Sequence, residues 1–189
     1  MEAMGLVERL KGLKKYFPDL THTARNGNRY DFSCPSRDDL FLSAKTTKRA
    51  PGRIAPHSVG QCSVDKMKML LEVDENVNIK QFIQEHPERL LQMMYDNTFD
   101  TPIIYYNKDK DVIKFIVKNK DIDWSTVVPN ISWTTHWSEW KNSSCLKLNG
   151  KSIAEVQFHS TTRVNMANRW FFEKLLQQFE DSFTITDLA

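Results

Sequence analysis

A chain of 189 residues with 40% hydrophobic and 26% charged side chains is long enough for a sizeable core, and its composition excludes a long disordered tract. The formal net charge of +2 neither demands nor excludes a nucleic-acid partner, because a groove can be basic on a nearly neutral protein. Three widely spaced cysteines, Cys34, Cys62 and Cys145, make no Cys-x-x-Cys pair, which argues against zinc-ribbon and thioredoxin-like chemistry and fits free thiols in a reducing compartment. No stretch approaches the ~20 apolar residues of a membrane span, so no membrane association is expected.

In chain order, Glu2 to Phe17 carries Leu6, Leu10 and Leu13 near helical spacing and stops at Pro18, which predicts an amphipathic helix. Thr21 to Asn28 reads as a polar loop. Arg29 to Ser33 and Leu40 to Thr47 read as two strands around the turn Pro35-Ser-Arg-Asp-Asp39. Lys48 to Ser58, with Pro51, Gly52 and Pro56, reads as an irregular basic loop. Ser63 to Val73 predicts a short helix, and Val77 to Asp96 a longer one broken near Pro87. Thr101 to Asn107 and Val112 to Val117 form a strand pair. The tryptophans Trp133, Trp137 and Trp140 have helical spacing and read as core or dimer packing. Cys145 to Leu148, Asn149-Gly150 and Ser152 to His159 form the strongest hairpin signal in the chain. Val164 to Phe183 predicts a final helix with an Ala167, Phe171, Leu175, Phe179 stripe. Strands mixed with helices, and no internal repeat, imply a single α/β or α+β domain, 1–189, with a core of about five strands.

The chemistry concentrates in two places. A hairpin holding Asp31 and Lys45 sets a carboxylate beside an ammonium, which is the minimal kit of a Mg²⁺-dependent nuclease. Side chains alternate along a strand, so Ser43, Lys45 and Thr47 share one face and Glu155, Gln157 and His159 share another. A solvated polar face explains either row equally simply, and a snorkelling edge lysine is the plainer account of Lys45 alone. Asp38 and Asp39 read as turn residues. The basic loop contributes Lys48, Arg49, Arg53 and His57 and ends at Gly60-Gln61. Arg163 and Arg169 follow His159 on the entry to the expected last helix. All of these are phosphate- or base-contact candidates, and a solvated basic surface is the plain alternative.

An aspartate, a short turn and a Ser-Ala-Lys strand followed by Thr-Thr resembles the Asp…(Asp/Glu)-x-Lys core of type II restriction endonucleases. The late run Ala154-Glu-Val-Gln-Phe-His159 with Arg163 and Arg169 behind it, and the run from Lys45-Thr-Thr to Pro56-His-Ser-Val-Gly60-Gln61, are similar to stretches of certain members. The resemblance implies a mixed central sheet flanked by helices and Mg²⁺-dependent, site-specific hydrolysis of double-stranded DNA. It also implies a homodimer acting on a palindrome, and a cytoplasmic place in a bacterial or viral setting.

One position departs from the pattern. Ser43 stands where the family has its middle acid, and a hydroxyl is a poor Mg²⁺ ligand beside a carboxylate. The expectation is that Asp31 and Glu155 hold the metal, with Glu8 or Glu72 as weaker substitutes. Lys45 would activate water, and Gln157 and Gln61 would sit close by. A second arrangement takes Glu155-Val-Gln157 as the family's Glu-x-Gln motif, but Cys145 to Lys151 supplies no partner aspartate. A repair or junction nuclease, a non-catalytic nucleic-acid-binding module and a protein-interaction domain remain as other readings.

Overall fold

The computed structural model describes residues 10–24, 29–38, 40–48, 52–159 and 165–188. The class is mixed α/β, with twelve strands in two sheets and five α-helices among the described residues. That is more strand than the sequence reading expected. The chain divides into two compact units built from discontinuous stretches: Met1–Ala50, Thr101–Lys120 and Asp181–Ala189 in the first, Pro51–Asp100 and Asp121–Glu180 in the second.

The first unit holds β1 (Thr21–His22), β2 (Phe32–Cys34), β3 (Leu40–Thr47), β6 (Ile103–Asn107), β7 (Val112–Lys118) and β12 (Phe183–Asp187), hydrogen-bonded in the order β1-β2-β3-β6-β7-β12. Only the β3–β6 pairing is parallel. One face carries Phe32, Leu42, Ile104, Tyr106 and Ile113, which pack with Leu13, Phe17 and Leu188 into this unit's core. Period-two alternation then puts Ser43, Lys45 and Thr47 on the opposite face, as expected. The first half of the helix expected over Glu2 to Phe17 falls outside the described residues, and Leu10–Lys15 in its second half is a 3₁₀ helix. Asp39 also lies outside the described residues.

The turn between β2 and β3 is locked from a distance. Asp19 accepts the Cys34 thiol at 2.9 Å, the Ser36 hydroxyl at 2.6 Å and the Ser36 N–H at 2.7 Å. These donors hold the Asp19 carboxyl down at about 2, below its ordinary 3.8, with the Cys34 bond the largest cause and the Ser36 hydroxyl next.

In the second unit the sheet order is β4-β11-β10-β9-β8, with β5 also paired to β11: β4 (Arg53–Ile54), β5 (Gln61–Cys62), β8 (Ile131–Trp133), β9 (Ser143–Leu148), β10 (Lys151–Phe158) and β11 (Met166–Phe171). All its pairings are antiparallel. Asn149 and Gly150, both at positive φ (48° and 77°), make the tight turn from β9 to β10 that the Asn-Gly pair predicts. The helices are α1 (Val64–Leu70), α2 (Ile79–Glu85), α3 (Pro87–Asp96), α4 (Trp124–Val127) and α5 (Phe172–Gln178). Ser63 caps α1 and Asn78 caps α2. Pro87 starts α3 at a position where no N–H is needed, so the expected break falls there.

Two expectations give way in this unit. The final helix predicted over Val164 to Phe183 is, among the described residues, a strand over Met166–Phe171 and a helix only over Phe172–Gln178. Pairing with β10 on one side and with β4 and β5 on the other satisfies the β11 backbone, and that ladder outweighs the apolar stripe. The tryptophan segment is no helix either. Trp133 ends β8 and Trp140 is buried against it, ring centres 5.4 Å apart, and against Phe158 at 5.1 Å. Core packing therefore accounts for Trp140, while Trp133 is half-buried. The aromatic centre of the unit is Trp170, with no exposed surface, stacked on Trp124 at 6.1 Å and donating its Nε1–H to Thr98 at 2.9 Å.

Candidate functional site

In the first unit, Asp31 sits just ahead of β2. Its N–H donates at 3.0 Å to the carbonyl of Leu42, the β3 partner of Phe32. The carboxylate then folds onto the partner strand, and Oδ2 accepts the Ala44 N–H at 2.7 Å. A half-buried acid is thereby fixed against the strand that carries the lysine. Lys45 is also half-buried, paired in parallel register with Tyr105 of β6. Beside it, the Thr47 hydroxyl meets the Tyr105 hydroxyl at 2.8 Å, both buried. Ser43 is buried, its hydroxyl 3.2 Å from that of Thr101. Lys48 is exposed at the end of β3.

The second unit gathers another group. The Glu155↔Arg169 register puts these two residues directly opposite each other on β10 and β11, and Gln157 lies two residues on. Ala154 and Val156 face the other way, paired with Trp170 and Asn168. Glu155 is 5% exposed. Its Oε2 lies 3.3 Å from Arg53 Nη1 and 3.8 Å from Arg169 Nη1. Arg169 also donates to Gln157 Oε1 at 2.9 Å. Gln61, exposed on β5, pairs with Ala167 in the row of Gln157. The Cys145 thiol, opposite Glu155 on β9, is pushed up by burial first and by the Glu155 charge second.

The loop that carries these groups is pinned in a way the sequence reading missed. Asn168, fully buried on β11, donates its side-chain amide to the Val59 carbonyl at 2.7 Å, and its N–H goes to the Gly60 carbonyl at 2.9 Å. Gly60 is required there, because a Cβ would collide with Pro56 O and Ala55 Cβ. The buried amide of Asn168 had no signature in the sequence, since it stands inside what reads as a helix. The loop expected to be irregular is thus clipped to β11 at both ends, through β4 and β5.

Other predicted residues are dispersed. His57 is exposed, its Nδ1 2.9 Å from the Ser58 hydroxyl. His159 is exposed just past β10, where its N–H donates to the Asn165 carbonyl at 2.8 Å. Arg169 belongs to a strand and not to a helix entry. Glu72 is an exposed turn residue with φ 52°. Glu8, Arg49 and Arg163 lie outside the described residues.

A divalent cation fits these two acids unequally. At Asp31 one oxygen is held by a neutral main-chain donor, which leaves the negative charge uncompensated by that bond and suits a hard cation. At Glu155 a cation meets two guanidinium groups. Two unit charges about 4 Å apart interact by about 4 kcal/mol near a protein surface; a divalent ion at Oε2 doubles that repulsion from each arginine. The paired strands place Cys145 and Arg169 opposite Glu155, so neither supplies the aspartate that a Glu-x-Gln motif needs. Among the described residues no group of three or more His, Cys, Asp or Glu side chains gathers into a metal-holding cluster.

Among the described residues no helix is long and apolar enough to cross a membrane. No protein-family model matches the chain, and no solved structure matches it. Along 188 residues, 98% of its length, the chain is 35% identical to the type II restriction enzyme CviAII of Paramecium bursaria Chlorella virus 1, of which it spans about half, 54%.

Proposed function

We propose that the chain is a type II restriction endonuclease, or the part of one that corresponds to about half of its viral relative, and that it hydrolyses phosphodiester bonds of double-stranded DNA at a short specific sequence. The observation that carries this reading is the likeness to a restriction enzyme along nearly the whole chain. The Asp31–Lys45 hairpin supplies the chemistry to go with it.

In this reading Asp31 holds Mg²⁺, which when bound supplies a Lewis acid at the scissile phosphate. Asp31 is suited to that task because the Ala44 N–H fixes its orientation without cancelling its charge. Lys45 follows Ala44, whose N–H holds the Asp31 carboxylate, and its ammonium orients the attacking water and offsets the charge that grows on the phosphate oxygens. Half-burial of Lys45 lowers the local dielectric and strengthens that electrostatic role. Lys48, Arg53, His57, Gln61, His159 and Arg169 are the described contact candidates for the duplex. Arg49 and Arg163 complete the set expected from sequence. A palindromic target calls for a two-fold homodimer with one site per strand.

Plasmid digestion tests the reading. Wild-type protein with Mg²⁺ is expected to give discrete bands, and Mg²⁺ withdrawal or Lys45→Ala to remove them, with a rate loss of about 10²-fold or more for the variant. Smearing instead of bands indicates cutting without sequence preference. A gel shift without cutting favours a binding module, and absence of both contradicts the nucleic-acid reading.

A further inference from the structure

We propose that Arg53 and Arg169 form a two-arginine clamp for a backbone phosphate of DNA, and that Glu155 and Gln157 are positioning residues that hold the clamp in shape. The proposal rests on the nuclease reading above and reassigns Glu155 within it.

Four side chains from three adjacent strands meet on one face of the second unit's sheet. Arg53 comes from β4, Arg169 from β11, and Glu155 and Gln157 from β10. Glu155 is the buried member, its side chain 6% exposed, while those of Arg53 and Arg169 are 47% and 29% exposed. The acid therefore lies beneath and the guanidinium groups lie nearer solvent. One negative charge faces two positive ones, so the cluster keeps a net positive charge directed outward.

Glu155 Oε2 has no hydrogen-bond partner among the described residues, although both guanidinium groups lie within ion-pair distance of it. A buried carboxylate oxygen that attracts two arginines without binding either fork fully holds them by charge and leaves their donors uncommitted. Each guanidinium carries five N–H donors. Arg169 spends one nitrogen on Gln157 Oε1, at 2.9 Å. Arg53 lies over the Phe171 ring, 5.4 Å from its centre, which restrains it further. Two restrained forks with spare donors match the oxygens of a phosphodiester, which arginine binds bidentately. The Asn168 amide pins the segment between β4 and β5 to β11, next to Arg169, so Arg53 is carried on a braced segment.

Binding of a labelled mixed-sequence duplex, followed by fluorescence anisotropy in EDTA over a salt series, tests the clamp. Arg53→Ala and Arg169→Ala are each expected to weaken binding about tenfold and to lower the slope of log affinity against log salt by about one. Glu155→Gln supplies the sign test. Removing a negative charge beside a phosphate site tightens binding on charge alone, whereas loss of positioning weakens it; the clamp predicts weakening. Arg53 is half-exposed, so Arg53→Ala keeps the test open even where Glu155→Gln fails to fold, and melting curves separate the two cases. Unchanged affinity and slope in both arginine variants, with wild type binding the duplex, overturn the clamp and leave the nuclease reading standing. Tighter binding by folded Glu155→Gln overturns the positioning role. A wild-type chain with no affinity for duplex overturns both.

Discussion

Asp31, just ahead of β2, and Glu155, on β10, are both acids beside paired strands, and their surroundings suit them to different tasks in the proposed function. Asp31 meets one neutral donor, the Ala44 N–H. Glu155 meets two guanidinium groups. In the proposed function the first acid keeps a charge to offer a metal ion, whereas the second faces two cations of its own protein. The lesson is that a strand's alternation tells which side chains share a face, whereas the sign of the neighbours decides what an acid there can do.

The largest expected effect falls on the first acid. Asp31→Asn should lower Mg²⁺-dependent plasmid cutting by about 10²-fold or more, as removal of a group that acts on the transition state does, while leaving duplex binding in EDTA near the wild-type level. Parallel loss of binding would show that Asp31 shapes the fold and does not act on the metal.

A smaller effect tests the brace in the other region. Asn168→Ala removes a buried amide that serves the Val59 carbonyl. It should cost about 1–3 kcal/mol in urea unfolding, because a buried acceptor is left unmet. Hydrogen exchange should quicken over residues 52–61. A silent substitution would mean that β4 and β5 hold the loop unaided.

The smallest effect belongs to Asp19, which is exposed to solvent screening. Its folded carboxyl lies at about 2, below the ordinary 3.8, so its stabilisation is present above the ordinary value and is lost as pH falls through about 2. Asp19→Asn should be slightly less stable than wild type at neutral pH, and the gap should close over that acid range in denaturation curves. A gap that persists below it would contradict the hydrogen-bond origin of the shift.

The legible parts of the fold were the local ones. Asn149-Gly150 forces its own turn, Pro87 breaks its own helix, and Lys45 falls on its predicted strand with Asp31 just ahead of the partner strand. What stayed hidden depended on partners distant in sequence. Ala167 and Phe171 look like one helical stripe with Leu175 until β10, β4 and β5 bond to the backbone that carries them. With Arg169 read as part of a helix, its place opposite Glu155 has no signature in the sequence. The two-residue strands β4 and β5 are too short to leave an alternating pattern, so the clip that brings Arg53 to Glu155 was equally silent.

Calorimetric titration with Mg²⁺ of wild type, Asp31→Asn and Glu155→Gln tests the contrast between the two acids most directly. The account predicts that Asp31→Asn loses the Mg²⁺ binding seen in wild type and that Glu155→Gln retains it. Retention by Asp31→Asn together with loss by Glu155→Gln would contradict it.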